Sequence, residues 1–409
     1  MKSKKVNNAR RVVVTGLGVV SSLGIGWQEF WKNLLAGKSG ISKITAFDTS
    51  QYDRHYGGEV KDFDATKFIS QRKVPRLGRA TQMAIAASKL ALKDAHLGLI
   101  DVKGSKSGVC VGTTMGEPQI MERVDEKSFK NGNKLEYDFN SSMSYPASSI
   151  ANHVANYLKL EAMNTVFSTA CSSGNYALAR AYDLIRRGKC DFMLAGGSDA
   201  LSRIAFTGFG RLYAMAPEKC CPFDKNRQGM ILGEGAGMLL LESLETAKKR
   251  RAHIYAEILG YGMSCDAYHM SEPKVEGVEK ALKKALRNSV VEPADIDYIS
   301  AHGTGTMEND EAECKAINRV FGKKTKNIPV SATKSMLGHT MGASAAFGAI
   351  TCCLTIKNGK IPPTINHDQD DQKCVIDCVP NVSRKRIVEI ALNNSQAFGG
   401  NNACVVWKA

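Results

Sequence analysis

The 409-residue sequence has no apolar run approaching the ~18 residues that a membrane-spanning helix requires. Its first ten residues, MKSKKVNNAR, contain no apolar segment, so we expect no signal peptide. Aromatic side chains make up only 7% of the chain, which leaves few rings for stacking on nucleic-acid bases. The sequence therefore predicts a folded cytoplasmic protein with no membrane segment.

Negative charge is also in short supply: 40 Asp and Glu face 55 Lys and Arg, for a formal net charge of +15. Such an excess is typical of nucleic-acid-binding proteins, but here the basic residues are spread along the chain. An acidic protein partner fits the same charge. Binding to nucleic acid therefore stays as an alternative that rests on charge alone, and we expect no nucleic-acid partner.

The twelve cysteines are scattered through glycine- and alanine-rich segments of a long chain. Disulfide frameworks are typical of short secreted domains, so we expect most of these cysteines to be small buried hydrophobes. The pair Cys374 and Cys378 has no second pair of ligands nearby, and no metal site is expected there.

Glycines stand where apolar runs stop, a pattern typical of strand, small-residue turn and helix in succession. In the first half, a strand from Val12, a helix from Thr81 and a second strand near residue 107 precede a helix that follows Cys171. Residues 252–409 repeat this order. We expect an α/β fold of two similar βαβαββ halves, 1–251 and 252–409, with mixed sheets and helices in layers. The first half carries extra segments near residues 115–165 and 201–225.

Four residues that can carry chemistry stand at the junctions of this pattern. Cys171 precedes a helix, whose N-terminus lowers the pKa of a thiol and can hold an oxyanion. His302 follows the strand IDYIS, and His339 begins the matching helix of the second half. Lys334 lies in the turn before His339. The repeat predicts that these junctions meet in one pocket, although a single cysteine of twelve is by itself more often structural.

Several motifs in this order resemble the signature of the β-ketoacyl-acyl carrier protein synthases, the elongating condensing enzymes with the thiolase fold. The resemblance extends over nearly the whole chain and is closest to bacterial type II-like synthases and to the ketosynthases of type II polyketide pathways. The matching segments are VVVTGLG, TACSSG, FDKNRQGMILGEGAG, HGTGT, ATKSMLGH and AFGGNN.

The resemblance implies an acyltransferase that elongates fatty acid or polyketide chains by decarboxylative Claisen condensation. Cys171 would hold the acyl chain, and His302 and His339 would bind the thioester carbonyl of malonyl-carrier protein and promote decarboxylation. Lys334 would orient the site. The backbone N–H groups of Cys171 and Phe398 would form the oxyanion hole, with Phe398 as a gate. No cofactor is implied, because phosphopantetheine arrives on the carrier protein.

The resemblance also implies supporting residues. Asp310 and Glu313, from the acidic stretch after HGTGT, would hold Lys334 in place, although two carboxylates at a helix N-terminus also fit that position. Phe209 and Met230 would line the acyl pocket. Relatives carry an aromatic residue where this chain has Gln396, and many fatty-acid members have phenylalanine at Met230. These departures concern the acyl-chain preference and leave the chemistry intact.

The implied partners are an acidic acyl carrier protein and a second ketosynthase subunit, in a homodimer or a heterodimer. The basic cluster SQRKVPRLGR and one residue further along offer a carrier-protein docking surface, although a solvated basic helix start fits the cluster equally well. This set is Arg72, Lys73, Arg76, Arg79 and Arg211.

Three related functions are less consistent with the motifs. A thiolase would need a second catalytic cysteine in a glycine-rich setting, which Cys404 lacks. An initiating condensing enzyme would pair its cysteine with one histidine and one asparagine, whereas His339 is present. A non-catalytic chain-length partner of a polyketide synthase, which stays as an alternative, normally lacks the cysteine that is present as Cys171.

Overall fold

A computed structural model gives the fold for residues 9–103, 105–132 and 139–409. Residues 1–8, which carry most of the segment used to predict the absence of a signal peptide, lie outside these ranges. Within the ranges, no helix combines the length and apolar character needed to cross a bilayer.

The strands in chain order are β1 (Val12–Ser21), β2 (Gly24–Ile25), β3 (Ser42–Lys43), β4 (Tyr56–Gly57), β5 (Ser107–Gly112), β6 (Asn164–Phe167), β7 (Phe192–Asp199), β8 (Gly235–Ser243), β9 (Ala256–Cys265), β10 (Tyr298–Ser300), β11 (Val330–Ser331), β12 (Lys360–Ile361), β13 (Arg384–Lys385), β14 (Ile390–Ser395) and β15 (Asn401–Lys408).

The α-helices are α1 (Trp27–Leu35), α2 (Arg79–Asp94), α3 (Leu99–Val102), α4 (Pro118–Lys130), α5 (Phe139–Ser144), α6 (Ser148–Leu158), α7 (Ser173–Arg186), α8 (Arg203–Arg211), α9 (Leu244–Lys249), α10 (Val275–Ser289), α11 (Met307–Phe321), α12 (Lys334–Leu337) and α13 (Ser344–Asn358). Short 3₁₀ turns at Ala170–Ser172 and Met341–Ala343 precede α7 and α13.

The two halves of the chain contribute strands to one sheet in the same spatial order. That order is β6-β5-β7-β8-β1 in the first half and β11-β10-β14-β15-β9 in the second. In each half the first three strands of this order run parallel, and the last two pair antiparallel. β1 and β9 join the halves by antiparallel pairing at Val12–Val14. The predicted α/β fold with two similar halves is confirmed.

Each half nevertheless contains one more strand and helix unit than predicted, in the order βαβαβαββ. Within the repeated order, the strands that the sequence did not reveal are β6, with four residues, and β11, with two. Strands this short offer too few residues for a periodic pattern. The extra segments of the first half hold α4, α5 and α6 and, further along, α8.

Two central helices, α7 and α13, bring the two halves of the chain together. α7 and α13 contact each other, and α13 also contacts strands of both halves. Every residue of α13 from Ser344 to Thr355 is buried, as expected for a helix surrounded by protein. α2 covers β1 and β8, while α10 covers β9 and β15. Because the turns that precede α7 and α13 touch each other, the N-termini of the two central helices meet.

The cysteines lie as predicted. All twelve fall in the described ranges as free thiols, and eleven of them are buried, with Cys265 exposed. Most cysteines therefore serve as small apolar side chains in the core.

Candidate active site

Cys171 lies in the tight turn between β6 and the first residue of α7. Ala170, just before it, has a φ of 50°, a left-handed conformation that costs free energy in a non-glycine residue and persists because the surrounding structure holds it. The backbone N–H groups of Cys171 itself and of Phe398 lie near the Cys171 sulfur and act to lower the pKa of the thiol. The two donors expected to form an oxyanion hole are thus brought to the thiol.

The protonation of Cys171 differs from the expectation for a helix N-terminus. Burial raises the pKa of the thiol to about 12, while the Lys334 charge and the N–H groups of Cys171 and Phe398 partly oppose that rise. The expected lowering of the pKa is wrong, because desolvation of the thiolate outweighs the nearby donors and the cation.

His302 stands on a loop that two buried carboxylates of α11 hold from behind. Glu313 accepts hydrogen bonds from the N–H of His302 (2.7 Å) and of Gly303 (2.8 Å). Asp310 accepts from the N–H of Thr304 and Gly305 at 3.0 and 3.2 Å. Both carboxyl groups have a pKa raised mainly by burial and opposed by these N–H donors. The loop is therefore fixed by α11.

Asp310 and Glu313, which are predicted to hold Lys334 in place, do so without contacting it directly. In the described part of the chain, neither carboxylate makes a hydrogen bond or a close ion pair with Lys334. Their oxygens accept hydrogen bonds from backbone N–H groups instead, and Asp310 also lies 3.7 Å from Arg227. Their effect on Lys334 is electrostatic: Glu313 raises the pKa of the ammonium, opposing the larger lowering caused by burial.

Lys334, the first residue of α12, acts on His302. Its Nζ donates to the backbone carbonyl of His302 and lies 3.4 Å from the ring Nδ1 of the same residue. An ammonium can only donate, so Nδ1 must accept and the proton of the neutral ring sits on Nε2. Burial first, and then the Lys334 and His339 charges, lower the pKa of His302 well below its usual value. His302 is therefore a neutral Nε2–H donor.

His339 reaches the same state through other partners. Its Nδ1 accepts from the N–H of Met341 at 3.0 Å and lies 3.0 Å from the hydroxyl of Ser344. Burial lowers the pKa of the ring, and Lys334 adds to that lowering. Its Nε2 is buried and has no partner among the described residues. The rings of His302 and His339 lie 5.6 Å apart at an angle of 85°. The structure thus pairs two neutral imidazole donors.

One cavity of about 380 Å³ collects these groups. Cys171, His302 and His339 line it, and so do Phe209, Met230 and Phe398. Lys334, Asp310 and Glu313 are not among the lining residues; they stand behind the wall and position it. The structure therefore brings the predicted catalytic and acyl-pocket residues to a single cavity, with the supporting residues one layer further out.

The apolar side of this cavity is built around Phe398. Its ring lies 5.8 Å from that of Phe209, at an angle of 31°. Met230 is buried with Phe209 in the same apolar cluster, which Phe398 packs against. Gly399 and Gly400, directly after Phe398, have φ values of 80° and 77°, which favour glycine and let the chain turn sharply at this point.

Sequence reasoning missed several polar residues of the cavity wall. Thr304 and Thr306 line it, with their hydroxyls 2.9 Å apart, and both lie within the HGTGT motif that was assigned for its histidine alone. Gln396 lines it too, and had been noted only as a departure from an aromatic residue. The alternation of polar residues after His302 was the available signal for the threonines.

Four of the five predicted docking residues are exposed at the surface, and the fifth, Arg79, is paired inside the protein. Arg72, Lys73 and Arg76 are exposed, as a docking surface requires. Arg211 is also exposed and precedes Leu212 and Tyr213, which line the cavity.

Arg79 does not belong to that surface, and its assignment is wrong. Its guanidinium donates to the carboxylate of buried Glu234 at 2.6–3.1 Å and to the carbonyl of Val60 at 2.7 Å. The Nε and Nη2 donors of Arg79 are thus used inside the protein, and its charge is paired with that of Glu234.

Comparisons with known proteins agree with this geometry. Two family models match the chain: the β-ketoacyl synthase N-terminal domain over residues 9–247 and the C-terminal domain over residues 255–368. The chain is 38% identical to 3-oxoacyl-[acyl-carrier-protein] synthase 2 of Synechocystis sp. over 98% of each chain. It is 38% identical to the enzyme of the same name from Staphylococcus aureus, again over 98% of each.

Solved structures with the same architecture include ketosynthases. The ishigamide ketosynthase/chain length factor is 43% identical, with a TM-score of 0.95 over 98% of this chain and 99% of that one. A type II polyketide ketosynthase bound to the hexaketide, in complex with its acyl-carrier protein, is 35% identical with a TM-score of 0.90 over the same shares.

Proposed function

This chain belongs to the β-ketoacyl synthase family and is a condensing acyltransferase, and we propose that it joins malonyl-carrier protein to an acyl chain held on Cys171. The observation that carries the proposal is the pair of neutral imidazoles, His302 and His339, facing one cavity with a thiol whose sulfur meets two backbone N–H groups. A thiol with an oxyanion hole supports acyl transfer, and two neutral donors support an enolate.

In the first half-reaction, the Cys171 sulfur attacks the thioester carbonyl of an acyl-carrier protein. The N–H groups of Cys171 and Phe398 stabilise the oxyanion that forms. The carbon–sulfur bond to pantetheine breaks, and the thiol proton of Cys171 ends on the departing pantetheine sulfur. Because burial raises the pKa of the Cys171 thiol to about 12, the thiol carries its proton at neutral pH, and sulfur attack and proton loss are coupled.

In the second half-reaction, the Nε2–H groups of His302 and His339 donate to the thioester carbonyl of the malonyl unit. The bond between C2 and the carboxylate breaks, CO₂ leaves, and the electron pair forms an enolate whose oxygen the imidazoles hold. The enolate carbon attacks the acyl thioester, Cys171 departs and takes up a proton, and the product is a 3-oxoacyl thioester two carbons longer. The neutral state of both rings suits a charge that develops only in the transition state.

The chemistry assigned to these side chains needs no cofactor of the protein's own and no metal, since phosphopantetheine comes with the carrier protein. An acidic acyl carrier protein is the proposed partner, which agrees with the net charge of +15 and with exposed Arg72, Lys73, Arg76 and Arg211. A cytoplasmic location is a further part of the proposal. The product would be a fatty acid or a polyketide or polyene chain, as the resemblance implies.

A second ketosynthase subunit, identical or related, is the other proposed partner. β6 ends the sheet and pairs only with β5 in the described part of the chain, so one edge of Asn164–Phe167 is free for another strand. Addition of the same strand from a second subunit would continue the sheet directly in front of Cys171.

The test is reconstitution with acyl-carrier protein and malonyl-carrier protein. We expect an acyl group on Cys171 by mass spectrometry, CO₂ release, and a 3-oxoacyl product two carbons longer. Cys171→Ala should lose acyl transfer and keep some CO₂ release, whereas His302→Ala and His339→Ala should lose CO₂ release. Absence of both acyl-Cys171 and CO₂ with the unmodified chain would overturn the proposal.

A further inference from the structure

Gln396 is buried in the cavity wall with both polar atoms of its amide unpaired. The residue is 2% exposed, and neither Nε2 nor Oε1 has a hydrogen-bond partner in the described ranges. It lines the same cavity as Cys171, His302 and His339. Leaving a buried amide unpaired costs free energy, so a ligand that pairs with Gln396 gains binding that an apolar wall could not provide.

The backbone places Gln396 on the His302 side of the cavity. It follows β14, and side chains two residues apart in an extended segment point the same way. Asn394, two residues earlier, donates to Glu313 at 2.7 Å, and the same Glu313 oxygen accepts from the N–H of His302 at 2.7 Å. Gln396 therefore extends from the same face of the strand that supports the histidine loop.

The neighbouring polar groups of the wall are already paired. Thr304 and Thr306 share a hydrogen bond of 2.9 Å between their hydroxyls. Ser395, which precedes Gln396, donates to the carbonyl of Ala403 at 3.0 Å. Phe398, which follows, packs on Phe209 within the apolar part of the cavity. Gln396 is thus a fully buried and uncommitted hydrogen-bonding group next to the histidine pair.

We propose that Gln396 is a positioning residue for the extender unit, with its Nε2 donating a hydrogen bond to the malonyl carboxylate while His302 and His339 hold the thioester carbonyl. This inference rests on the proposed function. The carboxylate is only one carbon removed from the carbonyl that the imidazoles bind, so it would lie in the cavity that Gln396 also lines. A carboxylate accepts only, and no partner among the described residues fixes the Gln396 amide, so the amide is free to turn Nε2 toward it.

The neutral amide of Gln396 suits the loss of CO₂ from the malonyl unit. The bond from C2 to the carboxylate must stand out of the thioester plane so that its electron pair can enter the enolate as CO₂ leaves. A hydrogen bond to one carboxylate oxygen fixes that orientation without transferring a proton. A cation in the same place would stabilise the charged carboxylate more strongly in the ground state and oppose its loss.

The experiment separates recognition of the carboxylate from recognition of the rest of the substrate. In a Cys171→Ala parent, the KM for CO₂ release from malonyl-carrier protein is compared with the inhibition constant of acetyl-carrier protein, which lacks the carboxylate. Gln396→Met keeps the size and removes the amide. We expect the malonyl KM to rise about tenfold to a hundredfold, with the acetyl inhibition constant within about twofold. Gln396→Glu would place a second carboxylate against that of the malonyl unit. The repulsion between them should raise the malonyl KM at least as much.

The matched control is Gln28→Met, the same change at an exposed glutamine of α1 that does not line the cavity, which should leave both constants unchanged. In the chain that retains Cys171, Gln396→Met should leave single-turnover acylation of Cys171 within about twofold.

Three results would overturn the inference alone, and a fourth would overturn the proposed function with it. Equal changes in the malonyl and acetyl constants would indicate general damage to the pocket, and slower acylation of Cys171 would place Gln396 at the acyl chain. Unchanged constants would show that the amide binds neither. A Cys171→Ala parent that releases no CO₂, together with a wild-type chain that forms no acyl-Cys171, overturns the proposed function and this inference with it, whereas an active parent isolates Gln396.

Discussion

The ammonium of Lys334 donates to the backbone carbonyl of His302 and lies 3.4 Å from the ring Nδ1 of the same residue. One side chain therefore fixes both the loop that carries His302 and the tautomer of its ring. The resulting Nε2–H is the donor that the proposed enolate requires.

Lys334→Ala should release that tautomer and lower the rate of CO₂ release from malonyl-carrier protein by up to about a hundredfold, the cost of one lost oxyanion donor. A structural role alone would lower stability without this change in rate, so the unfolding midpoint is measured beside the kinetics. The matched control is Lys89→Ala, because Lys89 also donates to a backbone carbonyl, that of Phe68 at 2.8 Å, but lies away from the cavity. Equal rates for the wild type and Lys334→Ala would contradict the assigned role.

Cys171 should be alkylated slowly, with a rate that keeps rising with pH. A thiol whose pKa is raised to about 12 gains about tenfold in thiolate for each pH unit below that value. Iodoacetamide rates measured in a Cys265→Ser background, which removes the one exposed thiol, should therefore show no plateau between pH 7 and 9. Lys334→Ala should lower the rate at fixed pH, because the Lys334 charge lowers the pKa of Cys171. A plateau near pH 8 would refute this protonation state.

Much of the fold could be predicted because the chain repeats one physical pattern. Apolar runs that end at small residues predict the long strands and the central helices. These strands are β1, β8, β9 and β15. β6 and β11 could not be predicted, since strands of four and two residues gain their order from neighbouring strands rather than from their own pattern.

The cavity residues Cys171, His302 and His339 were predictable for the same reason, and their hydrogen-bond partners were not. Cys171, His302 and His339 all stand at junctions between elements, which the chain order reveals. Which group Glu313 contacts depends on the turn of α11 against the loop, a property of three-dimensional packing. The unpaired amide of Gln396 likewise becomes visible only when its surroundings are known.

Arg79 should behave as a structural residue and not as a docking residue. Its side chain is 28% exposed while that of Glu234 is fully buried, so Arg79→Ala leaves a buried carboxylate without its cation. We expect a loss of about 3 kcal/mol in the free energy of unfolding, at the low end for a broken buried pair because of that exposure. Urea unfolding measures this, and a loss below about 0.5 kcal/mol would argue against the pairing.

Arg72 and Arg76, the exposed arginines of the basic cluster SQRKVPRLGR, should affect carrier-protein binding and not stability. Arg72→Glu combined with Arg76→Glu should raise the KM for carrier-bound substrates and leave kcat and stability nearly unchanged, because exposed charges contribute to encounter more than to folding. The increase should shrink at high salt. An unchanged KM for both carrier-bound substrates would remove this surface from the docking site.

The last prediction concerns Glu117, which accepts from the N–H groups of Thr81 and Ala80 at the start of α2. Burial, against these donors, raises its pKa from 4.5 to about 7. A raised carboxyl pKa stabilises the fold below the unfolded value and loses that contribution as pH rises through about 7. Glu117→Gln should therefore gain stability relative to wild type between pH 5 and 8, by up to about 3 kcal/mol. Urea unfolding of both proteins tests this, since the buried histidines titrate alike in both and cancel; a pH-independent difference would contradict it.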